Sequence, residues 1–202
     1  VRYNEKVYDL DYENFSFIVN GTVLKPDAVF NIIHGEPGEN GDLAEILERN
    51  KIPQTACDVY VSKLTSNKKK YIEFVNSLGI PSSKQVLITS NDINNLSSLL
   101  SSITFPCIVK PNNGGSSIGV SKVYKSNELY EKVQIAFKED NEVLIESFLD
   151  GQEVSVGVIQ NKNDRIILPI TEIISDNELF DYSAKYLGCL LYTSPSPRDL
   201  YQ

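Results

Sequence analysis

The chain of 202 residues has no methionine, one histidine and three cysteines. With valine first and methionine nowhere, Val1 is not expected to be the natural start, and the sequence reads as truncated. Cys57, Cys107 and Cys189 share no paired spacing. That pattern excludes a disulfide framework or a zinc site and suits small buried thiols in a reducing compartment. Positive charge is scarce as well: 19 Lys and Arg against 27 Asp and Glu give a net charge of −8. DNA and RNA binding rest on Lys and Arg neutralising phosphates, so no nucleic acid is expected as a partner. No apolar run approaches the roughly 18 residues that span a bilayer, and no membrane association is expected. The start, Val1-Arg2-Tyr3-Asn4-Glu5, lacks the apolar core of a secretory signal.

What is present is an ordinary folded composition, 41% apolar and 23% charged, too apolar for disorder. The length suffices for one large domain or two small ones with a buried core. Phe15-Ser16-Phe17-Ile18-Val19 alternates toward a turn at Asn20-Gly21, a hairpin signature. Ala28-Val29-Phe30-Asn31-Ile32-Ile33 has the length and continuity of a strand buried on both faces. It enters a Gly-rich loop from His34 to Gly41. Asp42 is placed to cap a helix running to about Arg49, with Leu43, Ile46 and Leu47 on one side. A short strand at Ile52-Pro53 would complete a β-α-β unit that lacks its beginning.

A second region starts near Ser62. Tyr71, Val75 and Leu78 recur at helical spacing over residues 67–78, and Gly79 and Pro81 stop that helix. A strand at 85–88 and a polar helix over 92–102 follow. The strand Cys107-Ile108-Val109-Lys110 leads through a glycine- and serine-rich loop to a second strand at 120–124, making a hairpin. Ser126 is placed to cap a helix in which Leu129, Val133, Ala136 and Phe137 share a face. A strand at 143–146 leads to a third region, with alternation at Val154, Val156 and Val158 and a further strand over 165–174. From Cys189 onward the chain turns Ser/Pro-rich and loses periodicity. That stretch resembles a translated sequencing-adapter tail, with a natural Pro-rich tail as the alternative, and it is set aside from the fold.

Lys110 to Gly119 is the stretch richest in chemistry. Gly114, Gly115 and Gly119 let backbone N–H groups approach an anion closely. Ser116 and Ser117 add hydroxyl donors, and Lys110 adds a full positive charge. A strand rather than a helix follows, so the loop is neither a P-loop nor a dinucleotide fingerprint. On the residues alone, a phosphate-binding loop and a plain hairpin both remain open. His34 follows an apolar run at the strand end where α/β folds place ligand sites, which suggests a supporting role near a substrate. A structural histidine is the alternative, and Glu39 stands in the same position.

The order of lysine-ended strand, glycine-serine hairpin, helix and acidic strand end resembles the ATP-grasp superfamily. The finer resemblance is to the D-alanine–D-alanine ligases. It rests on His34-Gly35 with Gly38-Glu39-Asn40-Gly41, on Ile52-Pro53, on Asn67-Lys68 and on Gly79-Ile80-Pro81. It continues through Val109-Lys110-Pro111 and Gly115-Ser116-Ser117-Ile118-Gly119-Val120-Ser121-Lys122-Val123. Val143-Leu144-Ile145-Glu146, Gly151-Gln152-Glu153 and Phe180-Asp181-Tyr182-Ser183-Ala184-Lys185-Tyr186 complete it, all in the family's order.

The resemblance implies an α/β chain of ATP-grasp fold. Residues 1–61 would be part of an N-terminal Rossmann-like domain and 62–149 the central ATP-grasp domain. Residues 150–188 would begin an incomplete C-terminal ATP-grasp domain, and 189–202 would be a non-native tail. It also assigns roles. Lys68 and Lys110 would contact the ATP phosphates, with Ser117 in the phosphate loop. Glu146 would meet the adenine, Leu149 would offer the ring its backbone N–H, and Glu153 would hold the ribose hydroxyls. Lys185 would neutralise phosphate charge, and Tyr186 would hydrogen-bond with Ser116 to orient the first D-alanine. Each has a plainer alternative. Lys68 could be a surface lysine beside Lys69 and Lys70. Glu146 and Glu153 could be solvated strand ends, and Asp181, Tyr182 and Tyr186 an ordinary aromatic loop. Leu144, Ile145 and Phe148 suit an adenine slot or a common core equally.

The activity implied is ATP-dependent joining of two D-alanines for peptidoglycan synthesis, in the cytoplasm, with ATP and Mg²⁺ as cofactors. A homodimer is implied for the complete protein. The Mg²⁺ ligands and further catalytic residues of the family cannot be placed in this chain, so the 202-residue piece is expected to be inactive itself. It is also expected to expose apolar surface. D-lactate or D-serine as acceptor, a non-catalytic ATP-binding module, and a generic α/β scaffold are the competing readings.

Overall fold

The computed structural model describes residues 1–161, 164–175 and 190–192. Their contacts gather into two units. One is Val1–Ser82 with Asn112–Gly115, and the other is Ser83–Pro111 with the described residues from Ser116 onward.

The first unit begins with two small hairpins, β1 (Arg2–Tyr3) with β2 (Lys6–Val7), and β3 (Phe17–Val19) with β4 (Thr22–Leu24). Asn20 and Gly21 both take positive φ, 50° and 81°, and close the second hairpin with a twist that matches its strands. The strand expected over 28–33 does not form. Among the described residues this segment has one parallel bridge, Val29 to Gln54, and Phe30 and Ile32 are each 75% exposed. The apolar run supplied the β-propensity, but a strand also needs a ladder on its flanks, and here Val29 alone has one, its N–H bonded to the Pro53 carbonyl and its carbonyl to the Thr55 N–H. The short strand expected at Ile52-Pro53 is reduced to the same bridge.

Helix α1 (Asp42–Arg49) buries Leu43 and Leu47 against Ile52, with Phe15 and Val29 packed at the edge. Its N-cap is Gly41 at φ 95°, not Asp42 as expected. Asp42 is the first helical residue, where its carboxylate accepts a hydrogen bond from Asn40 and complements the helix dipole. Helix α2 (Val59–Ser66), not anticipated, is capped by Asp58, whose carboxylate accepts the Val61 N–H. Its Val59, Val61 and Thr65 are β-branched and give a weak helical signal. Helix α3 (Lys68–Ser77) is capped by Asn67. It ends at Leu78 and Gly79, where φ of 80° lets the Ile80 N–H reach back to the Val75 carbonyl.

The second unit centres on β5 (Gln85–Thr89), β6 (Cys107–Pro111), β7 (Ser121–Val123) and β8 (Glu142–Ser147), with helices α4 (Leu96–Leu99) and α5 (Leu129–Ala136). The strands form one antiparallel sheet in the order β5-β8-β6-β7. The helix expected over 92–102 is a 3₁₀ turn (Ser90–Asn95), the single turn α4, and another 3₁₀ turn (Leu100–Ser102). The Asp92 carboxylate accepts both the N–H and the O–H of Thr89 at 2.8 Å. These bonds hold the Asp92 carboxyl below its usual pKa and tighten the first turn. The Asn- and Ser-rich run that follows competes with the helical ladder, as Ser98 does by bonding the Asn95 carbonyl. Ser126 opens a short 3₁₀ turn and makes no side-chain cap, since Lys125 holds the capping position.

Alternation sorts the two central strands. Cys107 and Val109 of β6, with Val143 and Ile145 of β8, face Leu129, Val133 and Ala136 of α5 in one core, to which Phe137 packs. Ile108 and Lys110, with Leu144 and Glu146, take the opposite face. Ile145 is therefore a core residue, not part of an adenine slot. Burial pushes the Cys107 thiol up to about 11. Cys57, expected to be buried, is exposed, because it lies in the loop before α2. Cys189 lies outside the described residues.

Beyond β8, strands β9 (Val154–Ser155), β10 (Val158–Asn161), β11 (Asp164–Ile167), β12 (Thr171–Ser175) and β13 (Leu190–Tyr192) form a β10-β11 hairpin and a β13-β12-β9 sheet. The single strand expected over 165–174 is two, because Pro169 interrupts the ladder between them. The hairpin exposes Val158, Ile159, Ile166 and Ile167. Strand β13 lies within residues 189–202, the stretch expected to stand apart from the fold. No helix among the described residues is long and apolar enough to cross a membrane.

Ile145→Ala is expected to cost about 2–5 kcal/mol in urea denaturation, whereas Tyr130→Ala on the exposed face of α5 should stay within about 0.5 kcal/mol. Native alkylation at about pH 8, followed by peptide mass mapping, should label Cys57 and spare Cys107 until the chain is denatured.

Candidate functional site

In the second unit, Lys110 ends β6 and donates through Nζ to Oε1 of Glu146 on β8. The side chains are only 19% and 15% exposed. Strand register places Lys110 opposite Leu144 and Ile108 opposite Glu146, so the pair is a diagonal contact on the face away from α5. Ser83 Oγ donates to the other carboxylate oxygen at 3.3 Å. Glu146 is thus a held, half-buried acid and not a solvated strand end. Such a pair is costly to leave half-made, so each side chain holds the other in place.

Lys110 leads through Pro111 to the glycine-serine segment, where Ser116 and Ser117 take φ of 54° and 57°. Two successive side-chain-bearing residues in the left-handed region store strain, on the order of 1–3 kcal/mol each. Gly119 has φ of 71°, and a Cβ there would come within 3.0 Å of Pro111 and 3.1 Å of Glu139. Both its backbone angle and the space around it call for glycine. Leu149, just past β8, is 65% exposed, and Glu153 is exposed.

In the first unit, Lys68 opens α3. Its Nζ donates to the carbonyls of Asn112 at 3.3 Å and Gly114 at 3.0 Å, and its backbone N–H donates to the Asn112 carbonyl at 3.0 Å. The Asn112 side chain is fully buried and accepts the Lys69 N–H at 2.9 Å. Asn67 Nδ2 donates to Asn113 Oδ1 at 3.1 Å. The Lys68 ammonium is therefore tied to the glycine turn, unlike that of Lys69, which pairs with Glu73 at 3.1 Å on the helix surface.

His34 and Glu39 are brought together: Nδ1 and Oε1 are 3.4 Å apart, with the side chains 62% and 53% exposed. The other Glu39 oxygen accepts the Gly35 N–H at 2.8 Å. A cavity of about 430 Å³ beside them is lined by Gly35, Glu39, Cys57, Ser62, Thr65 and Gly114, among others. Tyr186 and Lys185 lie outside the described residues, as do Asp181 and Tyr182. Lys68 and Lys110 fall in different units, so convergence of the three lysines on one phosphate chain stays a proposal. No three His, Cys, Asp or Glu side chains gather as a metal site among the described residues.

Residue pattern alone marks neither Asn112 nor Ser83. Nor does it mark Lys122, whose Nζ sits 3.9 Å from the Phe148 ring centroid and 5.2 Å from that of Tyr124. Strand alternation through Ser121-Lys122-Val123 would have set Lys122 on the polar face of the sheet. The partner ring across two strands needed the fold.

The sheet with its lysine-ended strand, strained serine turn and paired acid defines an α/β protein of the ATP-grasp class. Solved structures agree. The VanG D-Ala:D-Ser ligase from Enterococcus faecalis matches with a TM-score of 0.76 at 31% identity, over 89% of this chain and 52% of that one. The D-alanine–D-alanine ligase from Helicobacter pylori matches at 0.70 and 29%, over 87% and 53%. Residues 74–194 match the family model for the D-ala D-ala ligase C-terminus, and the chain belongs to that family. A D-alanine–D-alanine ligase of Flavobacterium johnsoniae is 46% identical over 92% of the chain, and one of Christiangramia forsetii is 47% identical over 90%. The chain spans about half the length of these relatives, 57% and 56%.

Asn112→Ala removes the buried acceptor of the Lys69 N–H and is expected to cost about 1–3 kcal/mol. Hydrogen exchange should then rise at the start of α3 before it rises in β6 or β8.

Proposed function

We propose that the complete protein is a D-alanine–D-alanine ligase and that this chain carries part of its ATP site. The half-buried Lys110–Glu146 pair carries the reading, because it fixes a cation at the mouth of a strained glycine-serine turn. Lys110, Ser117 and Lys68 would bind phosphate oxygens, with Lys185 added from outside the described residues. Glu146 and the Leu149 N–H would meet the adenine, and Glu153 the ribose. His34 and Glu39 would line the D-alanine side.

A carboxylate is a poor electrophile. In the proposed reaction an oxygen of the first D-alanine's carboxylate takes the γ-phosphoryl group of ATP, and ADP leaves. The amine of the second D-alanine then attacks the acyl carbon and loses a proton, and inorganic phosphate leaves. Phosphoryl transfer asks the protein for charge neutralisation and in-line placement more than for a nucleophile. The lysines and serine hydroxyls suit that demand. Ser116 with Tyr186 would orient the first substrate, and residues 180–186 would shield the acyl phosphate from water. Mg²⁺, when bound with ATP, would neutralise phosphate charge; no ligand for it is assigned among the described residues.

The product would serve peptidoglycan synthesis in the cytoplasm, and the complete protein would be a homodimer. The likeness to a D-Ala:D-Ser ligase supports keeping D-serine as a second acceptor, and D-lactate stands beside it.

The 202-residue chain is expected to bind ATP and to release no phosphate when D-alanine is supplied. Lys110→Ala should weaken ATP binding at least about tenfold by calorimetry, the loss expected for one charge-assisted contact of about 1.5–3 kcal/mol. The complete protein should release phosphate with D-alanine as acceptor and much less with D-serine or D-lactate. Unchanged ATP affinity in Lys110→Ala would instead favour a hairpin with no part in nucleotide binding.

A further inference from the structure

The face of the sheet that carries Lys110 and Glu146 also carries Lys122, for which the proposed chemistry has no use. Lys122 stands on β7 opposite Ile108 of β6, and Ile108 stands opposite Glu146 of β8. Its ammonium lies 3.9 Å from the centroid of the Phe148 ring. Phe148 follows the end of β8, and its backbone N–H is anchored on the Pro106 carbonyl at 3.0 Å. The Lys122 side chain thus reaches from β7 across the intervening strand to the segment that leaves β8. Both residues are half-buried, a setting in which a cation over an aromatic face is worth more than at an open surface. The aliphatic stem of a lysine covers apolar surface on the way, and Ile108 is only 8% exposed.

We propose that Lys122 is a positioning residue for the nucleotide base. Its ammonium, seated on the Phe148 ring, fixes the start of the segment after β8 and with it the Leu149 amide that would meet the adenine. The role rests on the nucleotide reading above and adds a residue to it. Lys122 acts through Phe148 and need not touch the nucleotide. The contact also sets the ring plane of Phe148, so the base would meet a wall of fixed orientation. The Tyr124 ring lies 5.2 Å from the same ammonium.

The test uses the 202-residue chain and ATP itself. Lys122→Met keeps the stem and removes the charge, and it is expected to weaken ATP binding about three- to tenfold by calorimetry. Lys122→Arg keeps a cation over the ring and should return the affinity to within about twofold. Phe148→Leu should show the same loss, and adding Lys122→Met to it should cost nothing further. The chain has no tryptophan. Phe148→Trp therefore puts a sole indole under the ammonium, and its emission should shift when Lys122→Met is added, with or without ATP. Equal affinity in Lys122→Met and the unaltered chain would overturn the inference alone. So would equal losses in Lys122→Met and Lys122→Arg, which would mean packing and not charge. If the unaltered chain binds no ATP, the nucleotide reading and this inference fall together. If Lys122→Met does not fold, the Phe148→Leu and Lys122→Arg measurements decide the matter.

Discussion

One ion pair organises the chemistry of this chain: Lys110 of β6 with Glu146 of β8. It exists because β6 and β8 lie side by side in an antiparallel register that sets the two residues diagonally across from each other. The opposite faces of the same strands are given over to α5. A lone half-buried ammonium or carboxylate would be strongly disfavoured, so each charge depends on the other and on the Ser83 hydroxyl. What results is a fixed cation at the point where the chain leaves the sheet for its glycine-serine turn. That turn is tied in its own way. Lys68 and Lys69, at the start of α3, bond to Asn112 and Gly114, so a helix start and a loop are stabilised by the same few contacts.

The strain in the turn sits where the chemistry is proposed. Ser116 and Ser117 hold a conformation that glycine would adopt at lower cost. A glycine there would remove the hydroxyl donors that the proposed chemistry uses, along with the strain.

Much of this was legible in the residues. Asn20-Gly21 marked a hairpin because Asn and Gly take positive φ in succession at low cost. Asn67 and Gly79 bounded α3 because a cap and a left-handed stop are local demands. Lys110, the glycines and the serines stood out because charge and backbone access are properties of residue type. The failures have a common cause. The run from Ala28 to Ile33 read as a buried strand, yet strand formation depends on neighbours that no local pattern contains. The run from Asp92 to Ser102 read as a helix, and its Asp92 and Ser98 side chains took backbone partners instead. Cys57 read as buried on residue type alone, and Ile145 could not be assigned to a face until the partner strands fixed it. The Lys110–Glu146 and Lys122–Phe148 contacts join residues 36 and 26 positions apart, a separation at which sequence spacing says nothing.

The alternation of β8 has one more consequence. Sliding that strand by a single residue against β6 would turn Ile145 to the polar face and drive the Glu146 carboxylate toward Val133 and Ala136. The misaligned sheet would lose a core side chain and trap an uncompensated charge at once. Lys110 would be left without its anion in the same step. The charged residue on this strand therefore also acts as a proofreading element during assembly, penalising every odd-numbered slip of the strand that bears it.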